Sequence, residues 1–305
     1  MDIQTSQNQN NPETFKASLA DKANLTGQVL AELLGQQDRI PVRLREAMDY
    51  MLQSGGKRIR AALVMWTCET VASKLNRDAQ IAAAAVEMVH TYSLIHDDLP
   101  AMDNDDMRRG RPSCHKQFDE ATAILAGDAL LTLAFEILSE KIEDAEIAVR
   151  MIRTLSRAAG PSGMIAGQAA DMQYANTGGT LASLEYIHTN KTGAMFAASA
   201  ALGAIAARAS DRQIQTLLEY GMKIGLGFQI ADDLLDITAT STQLGKTAGK
   251  DAAQGKLTYP ALVGTEKSRE IFEKLTCQAI AAVEDFGPQA DILRQLAREL
   301  LNRTQ

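Results

Sequence analysis

The sequence is poor in the residues that mark several common classes of protein. Its 305 residues include three cysteines, seven prolines and one tryptophan, and aromatic residues make up 5% of the chain. The cysteines, Cys68, Cys114 and Cys277, lie far apart and form no C-x-x-C pair. This spacing argues against a disulfide scaffold and favours reduced cysteines. The scarcity of aromatic residues beside abundant alanine, leucine and methionine favours helices over sheets.

Basic residues are also outnumbered, since the formal net charge is −7. This charge argues against a nucleic-acid partner. Residues 1–12 have neither the basic region nor the apolar region of a signal peptide, and we expect a flexible tail. The nearest approach to a membrane span, residues 192–207, is rich in alanine and glycine and is followed by Arg208. The sequence therefore predicts a cytoplasmic protein without membrane insertion.

Apolar residues recur at helical spacing along the rest of the chain. The predicted helices span residues 15–34, 42–52, 59–75, 78–95, 121–142, 145–158, 164–174, 184–208 and 211–237, with two or three more in 261–303. No strand pattern, clear internal repeat or linker interrupts them. We therefore expect an all-α fold without significant β-structure, in which residues 13–305 form a single domain.

Residues 94–112, LIHDDLPAMDNDDMRRGRP, carry the densest chemistry in the chain. They contain Asp97, Asp98, Asp103, Asp105 and Asp106, followed by Arg108, Arg109 and Arg111. Carboxylates bind Mg²⁺, which completes its shell with phosphate oxygens, and guanidinium groups bind phosphate in pairs of hydrogen bonds. Pro100 ends the preceding helix, so the chain must loop for Asp97 and Asp103 to reach one ion. The sequence assigns no role to Asp105 and Asp106, which we expect to orient the arginines.

A second acidic cluster lies in the apolar segment GLGFQIADDLLDI. Asp232 and Asp236 share one helix face, and Gln229 and Asp233 share the next. Uncompensated carboxylates in such surroundings are costly, which favours a bound cation over a solvated helix edge. We expect the two acidic clusters to face each other across a central cavity.

Three cationic segments could serve an anionic ligand. In GGKRIR, residues 55–60, two glycines allow close approach of the backbone and three cations stand at a helix start, although a solvated basic turn has the same pattern. Lys191 and Thr192 interrupt an apolar helix, where the lysine could instead reach the surface. The Gly/Lys-rich residues 245–260 lack a glycine at position 240, which excludes a Walker A loop and favours a mobile lid.

Six motifs then identify a family by their order along the chain. They are GGKRIR (55–60), HTYSLIHDDLPAMDNDDMRRGRPSCH (90–115), GMIAGQAAD (163–171), KTG (191–193), GFQIADDLLD (227–236) and GKTAGKD with GKLTYP (245–260). With these motifs the chain resembles the trans-prenyl diphosphate synthases, and among them the bacterial farnesyl diphosphate synthases. The resemblance covers nearly all of the chain after the tail. It implies a helical bundle of the isoprenoid-synthase type and a homodimer.

The resemblance implies an activity. It is the magnesium-dependent head-to-tail (1'-4) condensation of isopentenyl diphosphate with dimethylallyl and geranyl diphosphate, which gives farnesyl diphosphate and releases diphosphate. Roughly two to three Mg²⁺ ions, with Mn²⁺ as an alternative, would bind the carboxylates. The metal-binding residues would be Asp97, Asp98, Asp103, Asp232, Asp233 and Asp236.

The remaining roles also follow from the resemblance. The allylic diphosphate would be bound by Arg108, Lys191, Lys246 and Lys256. Isopentenyl diphosphate would be bound by Gly56, Lys57, Arg60, His90 and Arg109, although a histidine on an apolar helix is often a core residue. The catalytic residues would be Lys191, Thr192 and Gln229, with the last two directing oxygens at the developing carbocation.

Product length is predicted from the residues that precede Asp97. Tyr92 and Ser93 lie five and four positions before it. A bulky Tyr92 would close the cavity about one to two helical turns below the metals. In the resembling family an aromatic residue here accompanies the C15 product, and methionine or a smaller residue the C20 product. Farnesyl diphosphate is therefore predicted, unless Tyr92 only packs against a neighbour.

Three alternatives remain open at this point. The first is a geranylgeranyl diphosphate synthase of the same family. The second is a non-catalytic partner subunit of another synthase, which would be expected to lack one acidic motif. The third is a terpene cyclase, which would not need the isopentenyl diphosphate set of Lys57, Arg60 and His90.

Overall fold

The computed structural model describes residues 12–175, 177–238 and 256–302. The first half of the bundle contains α1 (Pro12–Gly35), α2 (Val42–Leu52), α3 (Ile59–Ala72), α4 (Arg77–Asp97), α5 (Cys114–Gln117), α6 (Glu120–Lys141) and α7 (Ala145–Ala159). The second half contains α8 (Met164–Tyr174), α9 (Leu181–His188), a π-helical turn (Thr189–Gly193), α10 (Ala194–Ala206), α11 (Asp211–Thr238), α12 (Tyr259–Val263), α13 (Thr265–Ala282), a 3-10 segment (Glu284–Ala290) and α14 (Asp291–Asn302). The fold is all-α, as predicted.

A short antiparallel ribbon is the one departure from helix and loop within these residues. Its strands, β1 (Met107–Arg108) and β2 (Arg111–Pro112), pair Arg108 with Arg111. Arg109 and Gly110 form the connecting turn with positive φ angles of 52° and 76°, as a tight two-residue hairpin requires. Strands of two residues are too short to produce an alternating pattern, which is why the sequence did not indicate them.

Two alanine-rich helices, α4 and α10, occupy the centre of the bundle. The first packs against α3 and α6, and the second against α3, α7 and α11. Every residue of α10 from Met195 to Ala206 is buried. Small residues permit this packing: a Cβ added to Gly203 would lie 2.0 Å from the Val64 carbonyl oxygen. The central helices therefore provide a closely packed wall on which the functional site is built.

Local capping decides where α3 and α4 separate. The helix predicted over 59–75 ends at Ala72, because Ser73 adopts a left-handed conformation (φ 57°) and donates its N–H to the Glu69 carbonyl at 2.8 Å. The next helix begins after Asn76, whose side chain accepts from the Ala79 N–H at 2.9 Å. It continues to Asp97, so the first aspartate of the acidic motif stands on the last helical turn.

Helix α6 is long and apolar enough to cross a membrane by length and composition, the one such helix in the described part of the chain. No membrane span was expected from the sequence. Helix α6 is nevertheless apolar enough because its central part contains only two charged residues, Asp128 and Glu136. Of its most apolar stretch, 44% is buried in the protomer, against α4. We interpret α6 as a core helix with one uncovered apolar face.

Candidate active site

A cavity of about 510 Å³ lies between α4, α6, α8 and the π-helical turn. Its wall combines apolar and ionisable side chains, and among the lining residues are Arg60, His90, Tyr92, Ser93, His96, Asp97, Asp128, Leu131, Met164, Gln168, Lys191 and Thr192. Seven of the sequence-predicted site residues thus line one cavity: Arg60, His90, Tyr92, Ser93, Asp97, Lys191 and Thr192. The second acidic cluster connects to this wall through Thr192.

Asp97 and Asp103 stand together at the C-terminal end of α4. The loop after Pro100 returns, and the Asp103 N–H donates to the Asp97 carbonyl at 2.8 Å. Burial raises the pKa of the Asp97 carboxyl to about 6; the nearby Lys191 opposes that shift, and the charge of Asp103 adds to it. The protein alone stabilises the charged form of this buried carboxylate poorly. A metal cation bound beside Asp97 would stabilise that form.

Asp98 points elsewhere, although it is next in sequence. Its side chain is 0% exposed and accepts hydrogen bonds from Arg108 Nε at 3.0 and 3.2 Å and from Arg108 Nη2. Arg108 also lies 3.5 Å from the Asp105 carboxylate, and Asp106 pairs with Lys116 at 3.0 Å. In this structure Asp98 and Asp105 hold Arg108 in place. The expected role of Asp105 in orienting an arginine is thereby visible, whereas Asp106 contacts a lysine.

Lys191 joins the first acidic motif to α8. Its Nζ donates to Asp171 Oδ2 at 2.7 Å. Burial lowers the pKa of Lys191, but the negative charges of Asp171, Asp97 and Asp103 outweigh burial and raise it. The residue lies on the π-helical turn, a form of bulge that is frequent at functional sites. A Cβ at Gly167 would lie 2.2 Å from the backbone nitrogen of Lys191, so glycine is needed at position 167.

Thr192, the next residue, leads to the second acidic cluster. Its hydroxyl donates to Gln229 Oε1 at 3.1 Å, and Gln229 Nε2 donates to Asp233 Oδ1 at 3.2 Å. Asp233 is 2% exposed and also accepts from the Tyr259 N–H at 3.0 Å. Two adjacent residues of one turn therefore interact with the two acidic clusters. Lys191 interacts by charge with Asp97 and Asp103, and Thr192 is connected through Gln229 to Asp233.

Three residues of the predicted isopentenyl diphosphate set, Gly56, Lys57 and Arg60, lie around the start of α3, and Arg109 of the hairpin turn reaches the same segment. Arg109 donates to the Gly55 carbonyl and lies 3.5 Å from the Ser54 hydroxyl. Gly56 has a φ of 118°, and a Cβ there would lie 2.7 Å from Arg109 Cζ. Burial lowers the pKa of His90 well below its usual range, and the charges of Arg60 and Arg109 lower it further. Lys57 is exposed at the same turn.

The predicted lid is described only at its end. Lys256 Nζ lies 3.8 Å from Asp103 Oδ2, which places this lysine over the first acidic motif. Lys246 lies outside the described residues. Tyr92 is 6% exposed in the cavity wall, with its ring at an edge-on angle to His96 and 5.7 Å between ring centroids.

The comparisons with known proteins decide the family. Residues 41–293 match the model of the polyprenyl synthetases. The chain belongs to the polyprenyl synthetase family. As a member of it, the protein is a prenyltransferase of isoprenoid biosynthesis, which confirms the class of enzyme that the sequence predicted.

Two similar plant proteins are named as geranylgeranyl pyrophosphate synthases or their subunits. The polyprenyl synthetase described here is 45% identical over 276 residues to geranylgeranyl pyrophosphate synthase 4 of Arabidopsis thaliana, covering 89% of this chain and 73% of the relative. It is 48% identical over 273 residues to the large subunit 1 of a heterodimeric chloroplastic geranylgeranyl pyrophosphate synthase of the same plant, covering 87% and 72%. Both relatives are named for a C20 product.

Solved structures give the same fold. An apo FPP/GFPP synthase from Zymomonas mobilis superposes with a TM-score of 0.81 at 40% identity, covering 94% of this chain and 99% of the other. A geranyltransferase from Helicobacter pylori, complexed with magnesium and isoprenyl diphosphate, has a TM-score of 0.78 at 32% identity, covering 93% and 96%.

The carboxylates of this polyprenyl synthetase suit Mg²⁺. Among residues 12–175, 177–238 and 256–302, no three His, Cys, Asp or Glu side chains converge into a preformed cage. Mg²⁺ does not require one, because it keeps waters and binds substrate phosphates through one or two carboxylates. Asp236 supports the fit: it is 5% exposed and its Oδ1 has no hydrogen-bond partner. Asp97 and Asp236 are the carboxylates whose surroundings most favour a cation.

Three functional candidates were missed or underweighted by the sequence analysis. Asp171 is the last residue of the GMIAGQAAD motif, and it accepts a hydrogen bond from Lys191 Nζ at 2.7 Å. Gln168 lines the cavity, and its Oε1 is buried without a partner. Glu87 is 4% exposed, and the charges of Arg60, Arg58 and Arg109 act on it. The signal for Glu87 was available, since no other Asp, Glu, Lys or Arg occurs between Asp78 and Asp97.

Proposed function

We propose that the protein condenses isopentenyl diphosphate head to tail with an allylic diphosphate and releases diphosphate. One observation carries this proposal, and it concerns two adjacent residues at the wall of a largely apolar cavity. The negative charges of Asp97 and Asp103 act on Lys191, and Thr192 donates to Gln229, which donates to Asp233. A prenyl chain fits an apolar cavity, and a diphosphate fits its polar end. The magnesium and isoprenyl diphosphate named for the Helicobacter pylori structure support the same chemistry.

In this reaction the allylic C–O bond ionises, the isopentenyl double bond attacks the cation, and the condensed cation loses a proton to the departing diphosphate. Lys191 and Lys256 stand where they would stabilise negative charge on the departing diphosphate. Thr192 and Gln229 would place their oxygens near the developing carbocation. Mg²⁺, when bound by the carboxylates, supplies Lewis acidity toward the leaving group. The apolar cavity wall excludes water that would capture the cation.

Incubation with labelled isopentenyl diphosphate and geranyl diphosphate tests the proposal directly. We expect Mg²⁺-dependent incorporation of label into a longer prenyl diphosphate and its loss with a chelator. A terpene cyclase would consume the allylic substrate without incorporating label. A partner subunit without activity of its own would do neither, and either result would overturn the proposal.

Two products remain candidates, each with its own support. The curated relatives favour geranylgeranyl diphosphate, because they are named for it, and they support that C20 product better than the C15 product that the sequence predicted. One observation favours farnesyl diphosphate: the side chain of Tyr92 forms part of the cavity wall. Chain-length analysis of the purified protein distinguishes the two.

Tyr92→Ala should lengthen the product if the ring closes the cavity. Removing it would extend the cavity toward the N-terminal end of α4, and the main product should gain at least one C5 unit. Tyr186→Ala is the matched control, because Tyr186 is 50% exposed on α9 and lies outside the cavity wall. If the variant stops at the parental chain length, Tyr92 does not set product length.

We also propose that two copies of the chain associate through the uncovered face of α6. Its apolar residues Ile124 and Leu125 are 43% and 57% exposed, and buried apolar contact is the usual basis of a stable dimer. Light scattering should report twice the protomer mass for the parent. Leu125→Glu should shift the equilibrium toward monomer, whereas Val149→Glu, at an equally exposed position on α7 (52%), should leave the mass unchanged. A monomeric parent would contradict this arrangement.

A further inference from the structure

Glu87 is a buried carboxylate that the proposed reaction does not use. It lies in the alanine-rich part of α4 and is 4% exposed. It precedes His90 by three positions, so the two residues share one face of the helix. A buried carboxylate without compensation is strongly unfavourable. Its neighbours therefore show what keeps it there.

The first neighbour is the beginning of α3. The backbone N–H of Ala61 favours the charged form of the Glu87 carboxylate and so opposes the rise that burial causes in its pKa. That N–H belongs to the first turn of α3, where backbone donors have no partner within the helix. Arg58 occupies the N-cap position in a left-handed conformation (φ 47°), and its side chain makes no capping hydrogen bond. Glu87 thus places a negative charge near the beginning of α3 from a different helix, and a negative charge is favourable at that helix end.

The other neighbours are three guanidinium groups. The positive charges that act on Glu87 are, in decreasing order, those of Arg60, Arg58 and Arg109. Arg58 donates to the Leu52 carbonyl at 2.9 Å and to the Ala23 carbonyl at 3.3 Å, and Arg109 donates to the Gly55 carbonyl. These contacts surround the GGKRIR turn from both sides.

Arg60 differs from Arg58 and Arg109 in its contacts. Its guanidinium lies over the Phe196 ring, with Cζ 4.7 Å from the centroid, and its Nε has no hydrogen-bond partner. It also lines the cavity. Because the three cations repel one another, this arrangement requires an anion among them when no diphosphate is bound. Glu87 is the buried carboxylate on which all three act.

We propose that Glu87 is a positioning residue for the isopentenyl diphosphate subsite. Its carboxylate holds the start of α3 and keeps Arg60 and Arg109 in place before the substrate arrives. The proposal rests on the proposed function, since it assigns this turn to the non-allylic diphosphate. Glu87 itself does not touch the substrate.

The sign of one measurement separates this role from that of a bystander charge. If Glu87 only added negative potential, its removal would make the subsite more positive, and isopentenyl diphosphate would bind more tightly. If Glu87 positions the arginines, its removal lets these like charges separate, and binding weakens. The two roles therefore predict opposite changes in KM for the same substitution.

Glu87→Gln tests the proposal in steady-state assays with the full-length protein and Mg²⁺. We expect KM for isopentenyl diphosphate to rise about tenfold, which is 1.4 kcal/mol, while KM for geranyl diphosphate stays within about twofold. Glu87→Asp retains the charge and should recover part of the loss. Glu69→Gln is the matched control, because it removes a carboxylate from α3 that pairs with Lys22 at 2.5 Å, away from the GGKRIR turn; both KM values should stay at the parental level.

Several outcomes would overturn the positioning role. They are an unchanged or lower KM for isopentenyl diphosphate, an equal rise in both KM values, and a variant whose only change is a lower melting temperature. If Glu87→Gln does not fold, Glu87→Asp decides by the same ratio of the two KM values. Failure of the proposed function looks different, because the parent itself would then not incorporate isopentenyl diphosphate.

Discussion

Asp97→Asn is expected to lower kcat by about 10²–10³-fold, the loss typical of removing one principal electrostatic group from an active site. Asparagine retains the shape of aspartate but not its charge. Asp97 is the aspartate of the first acidic motif that lines the cavity, and the charges of Lys191 and Asp103 act on it. Turnover with geranyl diphosphate and isopentenyl diphosphate at saturating Mg²⁺ measures the effect. A kcat within about tenfold of the parent would contradict the assignment of Asp97 as a metal ligand.

The same substitution is expected to stabilise the metal-free protein. The pKa of Asp97 rises from 3.8 to about 6 because the side chain is buried. The folded state therefore binds this proton more tightly than the unfolded state, and stability falls as pH rises from about 4 to about 6. Above pH 6 the full cost is present, with an upper bound of roughly 3 kcal/mol. Since Asp97 is partly exposed, we expect about 1–2 kcal/mol, and Asp97→Asn should raise the melting temperature at pH 7.5 in the presence of a chelator.

Asp106→Asn is the control within the same motif. The Asp106 side chain is 70% exposed and pairs with Lys116. Its replacement should leave kcat within about twofold of the parent and the melting temperature nearly unchanged, because surface ion pairs contribute little. A lower melting temperature for Asp97→Asn would contradict the electrostatic argument even if activity is lost.

Lys191→Met is expected to lower kcat/KM for the allylic substrate by about 10²–10³-fold. Methionine preserves the length of the side chain but removes the charge that would stabilise the leaving diphosphate. Here stability should fall, in contrast to Asp97→Asn, because Asp171 loses its partner at 2.7 Å and its side chain is 16% exposed. Breaking a buried pair from one side is strongly destabilising.

A double variant separates the two effects of Lys191. Adding Asp171→Asn to Lys191→Met removes the unpaired carboxylate, so the melting temperature should recover while kcat/KM stays low. Lys116→Met, at a lysine that pairs with Asp106, is the control for charge removal. If the double variant recovers activity together with stability, Lys191 acts through the fold and not on the diphosphate.

Several features of the fold were predictable because they depend on local residues. The spans of α2 and α8 match their predicted ends, 42–52 and 164–174. Pro41 sets the start of α2 and Gly163 that of α8. Pro100 predicted that the chain would leave the helix between Asp97 and Asp103, and the loop does so. The π-helical turn at Thr189–Gly193 was not predicted, because helical spacing continues across it.

The sequence did not predict which aspartates face the cavity and which bond to other side chains. Asp97 and Asp98 are adjacent and identical in type, yet one lines the cavity and the other is buried against Arg108. A motif of aspartates does not say which carboxylates are available to a metal and which hold other side chains. That depends on the hairpin at 107–112, which brings Arg108 back onto Asp98.

The sequence by itself determined the helical class, the family and the set of chemical groups, because helical period, residue type and motif order can all be read along the linear chain. The tertiary structure decided which groups meet. Lys191 reaches Asp171 across 20 residues, Thr192 reaches Gln229 across 37, and the charge of Arg60 on α3 acts on Glu87 of α4. These contacts arise only when the packing of α4, α8 and α11 places separate helices side by side, and they determine which charges remain for a metal or a diphosphate.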